Sequence, residues 1–340
     1  MSAVVETRMT NKTRVALSIA VWLADDEYDY IDIPNYISVT TLIKHPRQII
    51  LGMRLPKSTS EGRVMDVADA MARKLGTAIH GSIEDVWLHR YKENLNKLAY
   101  PEHIIDRILV NPAPEELFED CIPIYMERRS FHTQGKYTIG GKFDFVGDGI
   151  LEDFKSTGTY SFTSGSNEWK YRLQLSLYRW LNQDIITNDI GKIQFIFTDW
   201  SSLDAMVKTK QGYPPTRMYE HKVRLMSVAE TEVWVRQRIA EIDMLMDVPE
   251  AELPLCDAQA LWQDKPVYKY YKNPEKTQRS SGNFPTYAEA QIKWITDGRV
   301  GIIKEVFGEA KGCRYCDAFG LCSQKDTLIA NGNLKIKEDE

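Results

Sequence analysis

The sequence predicts an α/β protein, a mixed central sheet flanked by helices, followed by a cysteine-containing C-terminal extension. Three observations carry this. Residues 64–98 repeat apolar side chains at helical spacing, with Val64, Val67, Ala68, Met71 and Leu75 continued by Ile79, Ile83, Val86 and Trp87. Residues 122–155 switch to short segments rich in β-branched and aromatic residues, parted by Gly or polar turns. Near the end, three cysteines bunch as Cys313-x2-Cys316-x5-Cys322.

Bulk properties set the frame. The 340 residues are 43% hydrophobic and 27% charged, ordinary for a globular chain and enough for one large domain or two smaller ones. No apolar run approaches the length of a membrane span. The N-terminus, MSAVVETRMTNKTR, lacks an apolar block before a small-residue cleavage site, so no secretory signal is expected and a cytoplasmic location is. The net charge of -5 does not announce a nucleic-acid binder, although a local basic groove can exist on an acidic protein.

The elements follow in order. Residues 11–24 have helix-forming composition after an Asn/Thr start, and the acidic DDEYDYID reads as a solvated connection. Ser38 caps a helix through VTTLIKHPRQIILGMRL that is interrupted or kinked near Pro46. Gly76, within the 64–98 helix, implies a close approach or a bend. IPIYMERRSF, YTIGGKFDFVG and GILEDFKST read as three antiparallel strands. Residues 167–183 return to helix, and residues 191–200 form a fourth, largely apolar strand central to the sheet. Residues 227–247 form a long amphipathic helix starting at Ser227. Beyond residue 250, PVYKYYKNPEKTQRSSGNF holds strands flanking a polar turn, and PTYAEAQIKWITDG is a helix. KIKEDE is a charged tail. The expected division is an N-terminal helical arm (1–35), a core (36–250) and an extension (251–340).

The chemistry gathers on the strands of residues 139–155. Asp144 lies on the second strand, Asp153 and Lys155 on the third. Alternate residues share a face, so Asp153 and Lys155 project together while Glu152 and Phe154 point away. The turn at Gly147–Gly149 brings Asp144 back beside them. Two carboxylates and an amine make a poor core unless a cation compensates. Hard oxygen ligands suit Mg²⁺ or Mn²⁺, and Lys155 can orient or help deprotonate a water and neutralise charge on a phosphate. Read plainly, the same residues are a surface hairpin with an Asp–Lys pair of little energetic weight. A register slip of one residue would substitute Glu152 for Asp153 but would strip Lys155 of its same-face partner.

The order Gly76-Thr77-x2-His80-x3-Glu84, Gly141-x2-Asp144, Asp153-x-Lys155 and Gln174-x3-Tyr178 resembles the PD-(D/E)XK nucleases. It is most similar to the branch holding the nuclease domains of RecB and AddB helicase–nucleases and related CRISPR-associated and phage-encoded exonucleases. The resemblance covers roughly residues 36–200 by motif order, and the cysteines extend it towards 322. It implies a restriction-endonuclease-like core. His80, Asp144 and Asp153 would hold the metal, with the backbone carbonyl of Phe154 a further ligand. Lys155 would be the catalytic lysine. Gln174 and Tyr178 would contact DNA backbone or position Lys155. Glu84 and Glu127 would support the ligands from behind. Without the motif order, His80 is an ordinary polar helix residue and Gln174 and Tyr178 an ordinary amphipathic pair.

Five cysteines, an odd count in a cytoplasmic setting, argue against a disulfide framework. A Cys-x2-Cys turn lets both sulfurs reach one metal, and Cys322 supplies a third. In the relatives that the resemblance implies, a distant N-terminal cysteine completes a 4Fe–4S site. Here the matching segment reads His45-Pro46-Arg47. Cys256 is the favoured fourth ligand, His45 the positional alternative, and Cys121 fits better as a buried small hydrophobe. The group is a 4Fe–4S cluster or, alternatively, Zn²⁺. In the plainer case the site is lost and three thiols remain. The segment carrying Tyr268, Lys269, Tyr270, Tyr271, Lys272, Lys276 and Arg279 would stack on single-stranded bases, or be a solvated hairpin with half-buried tyrosines.

The expectation is therefore a Mg²⁺- or Mn²⁺-dependent deoxyribonuclease, an exonuclease of phage type working in a host cytoplasm. Its substrate would be single-stranded DNA or end-bearing duplex, in replication, recombination or repair and alongside proteins of those pathways. The rivals are a non-catalytic DNA-binding or replisome-associated protein that keeps the fold, and a restriction-type endonuclease.

Overall fold

The computed structural model describes residues 9–25, 31–55 and 65–336. Val64, most of the acidic connection after Asp25 and the end of the charged tail lie outside them. In chain order the first elements are β1 (Met9–Thr10), α1 (Leu17–Ala24), β2 (Tyr36–Ser38), α2 (Val39–Leu42), α3 (Pro46–Met53), β3 (Met65–Asp66), α4 (Met71–His89), α5 (Tyr91–Lys97) and α6 (Glu102–Ile105). There follow β4 (Ile108–Val110), β5 (Ile122–Met126), β6 (Arg129–Gln134), β7 (Tyr137–Lys142), β8 (Phe145–Gly147) and β9 (Ile150–Thr157). Then come α7 (Thr159–Thr163), α8 (Glu168–Leu181), β10 (Ile190–Phe197), α9 (Ser202–Val207), β11 (Met218–Arg224) and α10 (Val228–Leu245). The last are β12 (Val267–Tyr271), β13 (Gly282–Phe284), α11 (Tyr287–Thr296), β14 (Ile302–Val306) and α12 (Ser323–Ala330). The chain divides into two compact units, residues 1–43 with 56–239 and residues 44–55 with 240–340. No described helix is long and apolar enough to cross a membrane.

The first unit is the mixed α/β part. Among the described residues its larger sheet has the order β11-β10-β9-β8-β5-β4, with β10 parallel to β9 and antiparallel to β11. Residues 190–197 are thus interior, as their apolar composition predicts. A second sheet runs β2-β7-β6. Helix α8 packs against β6 and β7 of one sheet and β9 and β11 of the other. That is why Leu173 through Trp180 are all buried: a helix covered on several sides has no polar face to spare. Helix α4 is fixed by Ile83 and Trp87, which pack on Leu95, Ile105, Ile108, Ile124 and Met126. Trp87 also meets the ring of Phe145 at 5.3 Å. A Cβ on Gly76 would come within 3.2 Å of Ser156 Oγ, so the glycine allows the close approach of α4 to β9.

Several boundaries differ from the periodicity. Residues 11–24 are helical only from Leu17, because Asn11 Oδ1 accepts from Val15 N at 2.8 Å and holds the preceding residues in a turn. Residues 64–98 break into a short strand, a tight turn capped by Asp66, and two helices parted at Arg90. The Ser38-capped helix ends at Leu42, and a new one begins at Pro46, where the missing N–H costs nothing. Ser227 and Glu230 form the expected reciprocal cap of α10, at 3.2 and 2.7 Å.

The three strands expected over residues 122–155 are five. The first splits at Glu127, whose φ of 50° puts a non-glycine residue in the left-handed region, and the second splits at Phe143–Asp144. Both breaks lie where the chain passes from one sheet to the other, the position where strands bend or bulge.

In the second unit, β12 pairs antiparallel with β13 and β14, and α11 packs on this sheet. Tyr270 and Tyr271 are buried, and Tyr268 Oη donates to Glu305 at 2.8 Å. The two buried rings belong to the core of this unit and do not stack on bases.

Candidate functional site

The two strand breaks place the acids. Glu127 N donates to Asp144 O at 3.2 Å and Phe143 N to Arg128 O at 3.3 Å, so the two breaks are laced together. Holding Glu127 in a left-handed conformation costs about 1–2 kcal/mol, which this ladder offsets. Asp144 Oδ2 then accepts from Phe154 N at 2.7 Å, tying the break to β9. Along β9 the alternation holds as expected. Glu152 turns to Lys192 and Gln194, whereas Asp153 and Lys155 share the other face with Lys155 Nζ 2.7 Å from Asp153 Oδ2.

Helices supply the rest. Gln174 Nε2 donates to Asp153 Oδ1 at 3.2 Å and to Tyr178 Oη at 3.1 Å. A carboxylate only accepts, which fixes the orientation of the amide. From α4, His80 Nε2 lies 3.1 Å from Phe154 O and Nδ1 lies 3.5 Å from Asp144 Oδ1. A carbonyl also only accepts, so Nε2 carries the hydrogen. In the neutral ring Nδ1 then sets a lone pair against a carboxylate oxygen, and only a proton or a cation between them makes that contact favourable.

The titration behaviour says the same. Burial lowers the His80 pKa, but Asp144 first, then Asp153 and Glu127, hold it above its usual value. Burial pushes Asp153 up, with Asp144 adding to it and Lys155 opposing. Burial also raises Glu127, against its ion pair with Lys142 and with help from Asp144 and Glu84. Acids crowded out of water and near one another attract positive charge. One donor atom each of His80, Glu127 and Asp144 lies within 4.8 Å of the others. One imidazole and two carboxylates is a donor set that fits Mg²⁺ or Mn²⁺.

The structure therefore brings His80, Glu127, Asp144, Asp153, Phe154, Lys155, Gln174 and Tyr178 together around β9 and the break between β7 and β8, with Glu84 close enough to act on Glu127. Glu127, expected only in support, stands in the closest donor group, and the carbonyl of Phe154 is engaged by His80. Lys142, 2.5 Å from Glu127 Oε2, is a residue that motif order passes over. A signal for it exists: it precedes Asp144 by two residues in GGKFD.

The cysteines of the second unit converge too. Cys256, Cys313, Cys316 and Cys322 line one small cavity. Arg47, 1% exposed, crosses beside it: Nε donates to Cys322 Sγ at 3.3 Å, and Nη1 to Leu253 O at 2.9 Å and Glu250 O at 3.1 Å. Burial and the other three sulfurs push the Cys256 thiol up to about 12, and burial with its neighbours pushes Cys313 up to about 11. At ordinary pH these groups stay neutral thiols, and a bound metal would be needed to hold them as thiolates. His45 Nδ1 accepts from Arg47 N at 3.2 Å as the cap of α3 and stands 3.7 Å from Cys256 Sγ. Cys121 lies in the first unit and is half-buried, not fully buried as expected of a small hydrophobe.

No protein-family description matches the chain, and no curated protein does. Among solved structures, the crystal structure of SSO0001 is 18% identical over 65% of this chain and 81% of its own, with a TM-score of 0.38. A phage related exonuclease from Haemophilus somnus 129PT is 15% identical over 37% of this chain and 61% of its own, with a TM-score of 0.24. Likenesses at this level do not identify a function.

Proposed function

We propose that the chain is a Mg²⁺- or Mn²⁺-dependent deoxyribonuclease, an exonuclease of the PD-(D/E)XK type. The observation that carries the reading is the junction of a three-donor group, His80, Glu127 and Asp144, with a buried carboxylate whose oxygen holds a lysine ammonium. His80, Glu127, Asp144 and, beside them, Asp153 would hold the ion. When bound, the ion supplies electrophilic stabilisation of the phosphodiester and a lowered pKa for water.

The chain's own residues do the rest. Phe154 O fixes the His80 tautomer, as a backbone acceptor does for a ligating imidazole. Asp153 fixes the Lys155 ammonium, which stands ready to neutralise charge developing on the phosphate. Gln174 fixes Asp153 in turn and leaves the Tyr178 hydroxyl hydrogen available to a substrate oxygen. End-labelled DNA incubated with each cation tests the reading, and covalently closed circular DNA separates an exonuclease from a restriction-type endonuclease. Tight binding without cleavage in either metal would favour the non-catalytic reading.

For the second unit the proposal is a metal group held by Cys256, Cys313, Cys316 and Cys322. Cys256 is preferred to His45 because it lines the cavity, while the His45 Nδ1 lone pair already caps α3. Both a 4Fe–4S cluster and Zn²⁺ accept a four-thiolate site, and the cluster is the reading put forward, with Zn²⁺ the alternative. Iron, sulfide and zinc analysis of anaerobically purified protein decides. Zinc without iron would overturn the cluster.

A further inference from the structure

Three elements carry a candidate-site residue and, a short step away, a residue of a second feature. On α4, Arg73, Thr77, His80 and Glu84 fall at i, i+4, i+7 and i+11, one stripe of the helix. On α8, Gln174 reaches Asp153 and also donates to Tyr178 Oη, one turn on. On β7, Gly141 and Lys142 precede Asp144 by three and two residues. Arg73, Thr77, Tyr178, Gly141 and Lys142 all line one cleft of about 410 Å³ within the first unit.

The character of the cleft is distinct from that of the chain. Arg73, Lys74, Arg129 and Lys142 line it together with Asp25, and Glu127 beside it pairs with Lys142. The hydroxyls of Ser38, Thr40 and Thr77 add donors. In a protein of net charge -5 this is a local inversion of sign, and local cations set the affinity for phosphates. Lys74 is 5% exposed and bound to Asp25 at 2.8 Å, so it shapes the wall, while Arg73 and Thr77 stand at the surface. The volume suits a group of nucleotide size. A double helix, whose major groove alone is about 12 Å wide, is too large for it.

We propose that this cleft is a binding subsite for single-stranded DNA next to the reacting phosphate, with Arg73 and Arg129 taking backbone phosphates and Tyr178 marking the junction. The proposal rests on the nuclease reading for the position of that phosphate. Seven residues of helix separate Arg73 from His80 by about 10 Å. A reach of that length puts Arg73 within a few nucleotides of the scissile bond.

The test is fluorescence anisotropy of a labelled oligothymidylate 12-mer in EDTA, with the wild type and Arg73→Ala/Arg129→Ala, over a range of salt. The double variant should bind at least about 10-fold more weakly, and the slope of log affinity against log salt should fall by about 1.4, about 0.7 for each single-strand phosphate no longer neutralised. Arg73→Lys/Arg129→Lys should restore most of the slope. A blunt duplex of equal length should bind more weakly than the single strand. In a second arm, hydrolysis of a p-nitrophenyl ester of thymidine 5′-monophosphate, which spans only the reacting phosphate, should be unchanged by the double substitution. Unchanged 12-mer affinity and slope in the double variant, or no 12-mer binding by the wild type, would overturn the subsite. Failure of the wild type to hydrolyse the ester would instead count against the nuclease reading and leave the binding arm to decide the cleft.

Discussion

Lys155→Met removes the ammonium 2.7 Å from a carboxylate that is 2% exposed. At that distance, with an effective dielectric of about 20, the direct attraction is about 6 kcal/mol. Much of it offsets desolvation. Breaking one side of a buried pair costs about 3–5 kcal/mol, because the other charge is left uncompensated. The Lys155 side chain is 28% exposed and Gln174 still donates to Asp153, so the low end applies, about 3 kcal/mol at pH 8. The sign with pH follows from Asp153. Its folded pKa lies above its unfolded value, and losing Lys155 raises it further. Such a carboxyl costs nothing when protonated below the unfolded pKa of about 4, and its cost grows as pH rises through the folded pKa. The deficit of the variant should therefore be large at pH 8 and close to zero at pH 4. Asp153→Asn/Lys155→Met should recover at least half of it without restoring cleavage. The assay is urea unfolding of metal-free protein at the two pH values, reading the transition of the first unit. A deficit under about 1 kcal/mol at pH 8, or one equal at both pH values, would refute the reasoning.

Three further outcomes follow from other contacts. Gly141→Ala would bring a Cβ to 2.8 Å from both Tyr178 Cε1 and Val39 Cγ2. It should destabilise the first unit by about 1–3 kcal/mol in thermal unfolding and weaken 12-mer binding through Tyr178. Arg47→Met strips the donors from Leu253 O and Glu250 O beside the cysteine cavity and should cost about 2–4 kcal/mol in the second unit, with loss of bound metal on analysis. The Thr13 hydroxyl most of all, opposed next by burial and then helped by backbone N–H groups of Ala68, Thr13 and Lys12, holds Asp66 down at about 2. Its contribution is present above pH 4 and is lost as pH falls towards 2, so Asp66→Asn should flatten the acid limb of the first unit's melting temperature between those values.

The residues explain which parts of this were legible. The period-2 alternation of β9 is local, so the shared face of Asp153 and Lys155 could be read from the chain, and so could the spacing of His80 and Glu84 on α4. The caps at Ser38 and Ser227 are also local chemistry. What escaped depends on distant partners. Nothing in IPIYMERRSF marks Glu127 as the point where a strand changes sheets, because the left-handed turn is imposed by the ladder to Arg128–Asp144. For the same reason Glu127 and Lys142 were undervalued: their roles arise only where two breaks meet. Asn11 shortened the first helix by a side-chain turn that helical composition hides. Tyr270 and Tyr271 have the same composition whether they cover a core or face a nucleic acid, and only packing decides. The cleft of Arg73 and Arg129 joins residues more than fifty positions apart, which no window of sequence brings together.

The most direct measurement is the release of label from end-labelled DNA by the wild type, Asp144→Ala and Lys155→Ala, with Mg²⁺, with Mn²⁺ and with chelator. The account predicts degradation by the wild type with a divalent cation, none in chelator, and a loss of at least about 100-fold in each variant. Degradation that persists in chelator, or in both variants, would contradict it.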